Sequence, residues 1–335
     1  MSIKVGVVGT GYWGPNIIRN FYQLPTCEMA TCCDLDEKRL AHMKGLYPNV
    51  QITTDYDSMV NDPSIDAVGV CTHVGAHYPL AKKALQAGKH VLIEKPFTAR
   101  VDEAEELVDL AKKNGKIIMI DHTFEYTAGV NKMKEVIESG ILGDVLYVHC
   151  SRLNLGIFQR DINVVWDLAP HDLSIILYAT GLAPKSIRTV GMKLLHPKVE
   201  DAAFVTLNCG SASAVIHVSW VDPLKIRKVS VVGTKQMLVY DDLDPLSKIQ
   251  IYDKGVDNPP HYDTFGEFLC SYKYGDIHMP RLKEAEPLSV MCKHFLECIE
   301  EGKAPRSDGE SGLKMVKLLA ASDQSIAENG AEIKL

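Results

Sequence analysis

Over residues 1–120 the chain alternates short apolar runs with amphipathic stretches. Strands are expected over 5–8, 29–33, 67–71, 90–93 and 117–120, and helices over 15–22, 79–86 and 101–113. The strands are apolar at successive positions, so both of their faces must be covered. Strict alternation of such strands with helices predicts a doubly wound parallel sheet, the α/β arrangement of Rossmann domains. Gly88, after Leu85-Gln86-Ala87, and Gly115, after Lys112-Lys113-Asn114, stand where helices should end.

From residue 121 the texture changes. A helix over 130–139, stopped by Gly140, leads into a strand over 145–154. One more helix follows, and then strands over 186–195, 203–208, 212–220, 228–232 and 236–241 with turn signals such as Asn208-Cys209-Gly210 and Gly233-Thr234. Strands in succession predict an open, mostly antiparallel sheet in an α+β domain. Helical spacing returns over 287–301 and 311–328, the last segment being long enough to pack back. The expected division is therefore 1–120 and 121–335, with the C-terminal helix packing back.

Composition narrows the partners. With 335 residues, 46% hydrophobic and 24% charged, the chain has the profile of a globular protein of two domains. The formal charge, 36 − 43 = −7, argues against nucleic acid or an anionic membrane and favours a small-molecule partner. The most apolar zone, 202–220, is interrupted by Asn208, Ser211, Ser213 and His217, so no membrane span is expected. The N-terminus runs directly into the strand pattern Ile3-Lys4-Val5-Gly6-Val7-Val8 without an export leader. Nine cysteines form no C-x-x-C pair, and Cys32, Cys33 and Cys71 lie in or beside apolar runs. Reduced core thiols and a cytoplasmic location are expected.

The first strand is followed by Gly9-Thr10-Gly11-Tyr12-Trp13-Gly14, which opens the first helix. In that context the glycines serve a pyrophosphate: one for the tight turn, one for close approach of backbone amides, one for helix–strand packing. Asp34 ends the second strand 20 residues after Gly14, where a carboxylate can accept bonds from an adenosine ribose and repel a 2′-phosphate, favouring NAD over NADP. Lys38 and Arg39 are a counter-signal, though their spacing with Leu35 and Leu40 is that of an exposed helix face.

Two further segments carry chemistry. Lys95, in Lys89-His90-Val91-Leu92-Ile93-Glu94-Lys95-Pro96, stands at the carboxyl end of a buried strand, where open parallel sheets bind ligands; the following proline favours an extended Lys95. In Trp166-Asp167-Leu168-Ala169-Pro170-His171-Asp172-Leu173, Asp167 and His171 share a helix face, with Pro170 expected in the first turn. Either the carboxylate orients a proton-carrying histidine, or Asp167 caps the helix and His171 is structural; the residues alone leave both open. His73 and His77 have metal-ligand spacing, but no third ligand stands near them, so no metal is expected.

These motifs resemble, in this order and over essentially the whole chain, the glucose-fructose oxidoreductase, inositol dehydrogenase and rhizopine catabolism (Gfo/Idh/MocA) family: the glycine turn, Val70-Cys71-Thr72-His73-Val74-Gly75-Ala76-His77, Glu94-Lys95-Pro96 and Asp167-x-x-x-His171. The resemblance implies an NAD-dependent sugar or cyclitol dehydrogenase with Lys95, Asp167 and His171 catalytic, which tilts His171 towards function. It implies cofactor contacts from Gly9, Thr10, Gly11, Tyr12, Trp13, Gly14, Asp34, Thr72, His73, His77, Glu94 and Lys95. Two departures stand out: Asp161-Ile162-Asn163-Val164-Val165-Trp166 replaces a run often rich in glycine, and Asp172 follows the histidine. The string Asp121-His122-Thr123-Phe124-Glu125-Tyr126, with Arg152-Leu153-Asn154-Leu155-Gly156 and the segment through Asp172, resembles a nucleotide-sugar branch whose members include enzymes oxidising C3 of UDP-N-acetylglucosaminuronate. On that resemblance Phe124, Arg152, Asn154, Asn163 and Trp166 join Lys95, Asp167 and His171 as substrate contacts, with Arg152 pairing a carboxylate or phosphate. The alternatives are a glycoside-modifying enzyme using transient C3 oxidation, a cyclitol dehydrogenase, and a non-catalytic nucleotide sensor. A homodimer or homotetramer is expected.

Overall fold

The computed structural model describes residues 2–156, 158–159, 162–256 and 272–335. It divides into two compact units, the first of residues 1–126 with 285–320, the second of 127–284 with 321–335.

The first unit is built on six parallel strands, β1 (Ile3–Val8), β2 (Cys27–Cys33), β3 (Gln51–Thr53), β4 (Ala67–Val70), β5 (His90–Ile93) and β6 (Ile118–Ile120). Helices α1 (Gly14–Gln23), α2 (Glu37–Leu46), α3 (Tyr56–Val60), α4 (Val74–Gln86) and α5 (Val101–Asn114) connect them. The order β3-β2-β1-β4-β5-β6 reverses direction between β1 and β4, the switch point where doubly wound sheets bind dinucleotides. Strand β3 has no signal in the periodicity because its side chains, unlike those of the equally short β6, are exposed or half-buried. Helix α4 starts five residues ahead of the proline expected to open it, so Pro79 lies inside the helix.

After a short 3₁₀ turn, Thr123–Tyr126, the second unit begins with α6 (Ala128–Glu138), β7 (Val145–Leu155) and α7 (Val164–Thr180). Then come β8 (Ser186–Met192), β9 (Ala202–Asn208), β10 (Ser213–Ser219), β11 (Val221–Gly233), β12 (Met237–Asp241), β13 (Ile249–Val256) and β14 (Tyr272–His278). With the terminal β15 (Ile333–Lys334) they form one sheet of order β14-β13-β12-β11-β7-β10-β9-β8-β15. It is antiparallel except between β7 and β10, which run parallel because α7, β8 and β9 intervene in the chain. On β7, β9 and β10 burial alternates, so one face is packed and the other more exposed.

Residues 285–320 return to the first unit, unlike the contiguous division at 120/121. The cause is the apolar face of α8 (Pro287–Glu301): Leu288, Met291, Cys292, Phe295 and Leu296 join Phe21 in one core, with the Phe21 and Phe295 rings 6.3 Å apart. Burial of such side chains contributes ~1.5–3 kcal/mol each, ample reason for the chain to return. Helix α9 (Gly309–Ala327) carries the division itself, between 320 and 321. Among the described residues no helix is long and apolar enough to cross a membrane.

Candidate active site

In the first unit the protein itself requires two of the turn's three glycines, Gly9 and Gly14, whereas a Cβ on Gly11 would meet only the Arg39 side chain at 3.5 Å. Gly9 has φ +94°, and a Cβ there would lie 2.4 Å from the Cys71 carbonyl oxygen; one on Gly14 would lie 1.9 Å from the carbonyl oxygen of Gly9. Helix α1 starts here without a side-chain cap or an acidic residue in its first turn, leaving its amides suited to an anion. Gly14→Val is expected to give no soluble, dinucleotide-binding protein. Gly45→Ala, in α2 with nothing within 4 Å of the added Cβ, should retain both properties, as gel filtration and NAD titration would check.

Asp34 is bound into that turn. Its Oδ2 accepts from Thr10 N at 2.6 Å and Thr10 Oγ1 at 2.8 Å, and its Oδ1 from Asp36 N at 2.9 Å. Burial raises its pKa, but these bonds outweigh it and the net shift is downward, so Asp34 is a fixed anion after β2. Arg39 is exposed, as the pattern predicts, yet its guanidinium also lies 4.0 Å from Asp34 and beside Gly11. Tyr12 is 88% exposed on the turn, whereas Trp13 donates through Nε1 to Asp121 Oδ2 at 2.9 Å. Asp121, buried immediately after β6, also accepts from the Thr123 amide and hydroxyl. Its signal in sequence is its position, the first residue beyond a parallel strand.

Glu94 and Lys95 follow β5, and the Lys95–Pro96 peptide is cis. Burial first, and the Asp121 charge second, push the Glu94 carboxyl well above its usual range. Thr72 and the exposed His73 sit at the carboxyl end of β4, where α4 begins. His77 is a correction to the expected cofactor contacts: it is buried, with Nδ1 2.8 Å from the Pro96 carbonyl oxygen and Nε2 3.0 Å from that of Thr72. It ties the β4–α4 turn to the segment carrying Lys95.

Burial lowers the pKa of His77, and takes His90 and His122 down to about 4. The unfolded chain protonates these rings near pH 6.5, so the stability they confer is full above that value and is lost as pH falls towards 4. Glu94 and Asp121, raised by burial, act in the opposite sense, but they are two against four, since burial also lowers the pKa of His294 in this unit. The unfolding midpoint of this unit is expected to fall between pH 7 and pH 5, as calorimetry would show.

The second unit brings the other candidates together around α7. Asn163 caps it, its Oδ1 accepting from the Val165 and Trp166 amides, so the helix begins early and Pro170 lies inside it, not in the expected first turn. Asp167 is thus not the cap. Its Oδ2 accepts from Trp220 Nε1 at 3.0 Å, and His171 lies one turn on along the same face. Trp220, buried just beyond β10, has no motif that singles it out in sequence. Asn154 lies near the same tryptophan: a Cβ built on Gly156 would meet both side chains.

Three expected substrate contacts are instead used within the protein. Asn163 Nδ2 and Trp166 Nε1 donate to the two oxygens of Asp323 on α9, at 2.9 and 2.6 Å. Arg152, on β7, directs Nε and Nη2 to Asp172, both at 2.9 Å, with the two side chains 4% and 2% exposed. The carboxylate that Arg152 was expected to take from a ligand is supplied by the residue after His171. Phe124 lies on the 3₁₀ turn of the first unit. Asp161 falls outside the described residues.

Residues 3–122 match the model of the GFO/IDH/MocA oxidoreductase family with an NAD-binding Rossmann fold, and residues 130–239 match the C-terminal domain of the same family. The chain belongs to the GFO/IDH/MocA family. It is accordingly an NAD-binding oxidoreductase, and the glycine cradle with its fixed Asp34 fits that cofactor. This family member is 28% identical over 323 residues to the UDP-N-acetylglucosamine 3-dehydrogenase of Acidithiobacillus ferrooxidans, covering 94% of this chain and 95% of that one. It is 24% identical over 345 residues to the myo-inositol 2-dehydrogenase of Thermotoga maritima, covering 99% and 98%. A solved structure of UDP-N-acetylglucosamine 3-dehydrogenase from A. ferrooxidans superposes with a TM-score of 0.82 at 23% identity, over 98% of this chain and 99% of that one.

Proposed function

We propose that this oxidoreductase transfers hydride between NAD and a carbinol carbon, C3, of a nucleotide sugar such as UDP-N-acetylglucosaminuronate. The observation that carries the reading is the Asp167–His171 pair on one face of α7, with Asp167 held as an acceptor by Trp220. The nearly full-length similarity to a UDP-N-acetylglucosamine 3-dehydrogenase supports the substrate class. NAD supplies the hydride acceptor at its nicotinamide. His171 takes the hydroxyl proton, Asp167 orients it, and the Lys95 ammonium stabilises negative charge developing on the carbinol oxygen. Asn154 and Phe124 remain as candidate substrate contacts. Asp34 favours NAD over NADP because a fixed anion repels a 2′-phosphate.

The similarity to an inositol dehydrogenase makes a cyclitol the second reading. Tyr147, Val190 and Phe204, 37%, 50% and 42% exposed on the second sheet, support a homodimer or homotetramer, and the buried thiols suit a reducing cytoplasm. The test is absorbance at 340 nm with nucleotide sugars and cyclitols, each with NAD and with NADP. NADH should accumulate with a nucleotide sugar. A response to cyclitols alone favours the second reading, glycoside cleavage without net NADH favours transient oxidation, and NAD binding without any turnover favours a sensor.

A further inference from the structure

His122 is the second residue after β6, at the carboxyl end of the parallel sheet, and is 2% exposed. Neither of its ring nitrogens has a hydrogen-bonding partner among the described residues. Its backbone is fixed: the amide donates to Ile120 O at 2.8 Å, and the carbonyl accepts from Glu125 N at 2.9 Å. A buried polar group without a partner costs ~1–3 kcal/mol, and folded proteins leave few of them. A ligand that pairs with the ring accounts for it.

Position and chemistry indicate which ligand. Asp34 stands after β2 and the glycine turn after β1, so a dinucleotide bound across the switch point extends its second half over β4, β5 and β6. The β6 end is joined to the turn itself, because Asp121, next to His122, holds the Trp13 indole. Burial and then the Lys95 ammonium keep the His122 ring uncharged, with a pKa of about 4. A neutral imidazole offers one N–H donor and one acceptor nitrogen. The nicotinamide carboxamide offers an acceptor oxygen and an NH₂ donor, the complementary pair.

We propose that His122 recognises the carboxamide of the nicotinamide and so positions the ring beside Lys95. The proposal depends on the dinucleotide alone and stands or falls independently of the sugar assigned above. Calorimetric titrations of wild type, His122→Phe and His122→Asn with NAD⁺, 3-acetylpyridine adenine dinucleotide and ADP-ribose test it. The acetyl analogue lacks the NH₂ group, and ADP-ribose lacks the nicotinamide. The Kd for NAD⁺ should rise about tenfold in His122→Phe while that for ADP-ribose is unchanged, and the wild-type preference for NAD⁺ over the analogue should disappear. If the phenylalanine variant does not fold, the asparagine variant carries the same comparison. In the wild-type protein, the ¹⁵N resonances of the His122 ring should shift on adding NAD⁺ but not ADP-ribose. Unchanged NAD⁺ affinity, parallel weakening of ADP-ribose, or a ring that ADP-ribose shifts equally would each overturn the proposal.

Discussion

Lys95→Ala and His171→Ala are each expected to lower kcat by about 100-fold or more while the protein still binds NAD, the usual contribution of a positioned acid–base or charge-stabilising group. The two variants should differ in their pH dependence. Without His171 the proton acceptor is gone, so the rise in rate as an imidazole loses its proton disappears; without Lys95 that rise persists at a lower rate. Asp167→Asn keeps a side chain that can accept from Trp220, so its loss reports on the orientation of His171 and less on packing. Steady-state kinetics from pH 5.5 to 9, with NAD affinity measured by calorimetry on the same preparations, separates binding from chemistry. Wild-type turnover in both alanine variants would remove these residues from the mechanism.

The largest stability effect is expected at Arg152. Its guanidinium and the Asp172 carboxylate form a two-bonded pair in which neither side chain is more than 4% exposed. Arg152→Met leaves the buried Asp172 carboxylate without its two-bonded partner and should cost ~3–5 kcal/mol, whereas adding Asp172→Leu removes both charges of the pair and should restore much of that loss. Denaturant unfolding of the wild type, both single variants and the double variant forms the required cycle. Asp172 is adjacent to His171, so the single variants should also lose turnover by displacing α7 from β7. A cost below about 1 kcal/mol would mean that water reaches the pair.

Much of this molecule was legible in sequence wherever cause and effect are local. Five of the six parallel strands announced themselves because their side chains are largely buried, and Gly9, Gly11, Gly14 and Asp34 lie within one strand–helix–strand unit. Helix starts were less legible. Pattern alone puts Pro79 and Pro170 in first turns, while the helices begin earlier, after His73 and after the capping side chain of Asn163. Periodicity says which face of a strand is buried but not its direction, so the parallel β7–β10 pair was hidden.

Side-chain partners distant along the chain were least legible. Arg152 and Asp172 are 20 residues apart, His77 and Pro96 19, and Trp166 and Asp323 157. An arginine or tryptophan near a catalytic motif looks the same in sequence whether its partner is a ligand or another part of the chain. His122 was visible only as one letter of a family string, because isolation within a core is a property of the folded chain.

The central claim, hydride transfer from C3 of a nucleotide sugar to NAD, is tested most directly with UDP-N-acetylglucosaminuronate deuterated at C3. Mass spectrometry and proton NMR of the NADH formed should find one deuterium at C4 of the nicotinamide. Unlabelled NADH, or no NADH from a protein that binds both NAD and the sugar, would contradict the account.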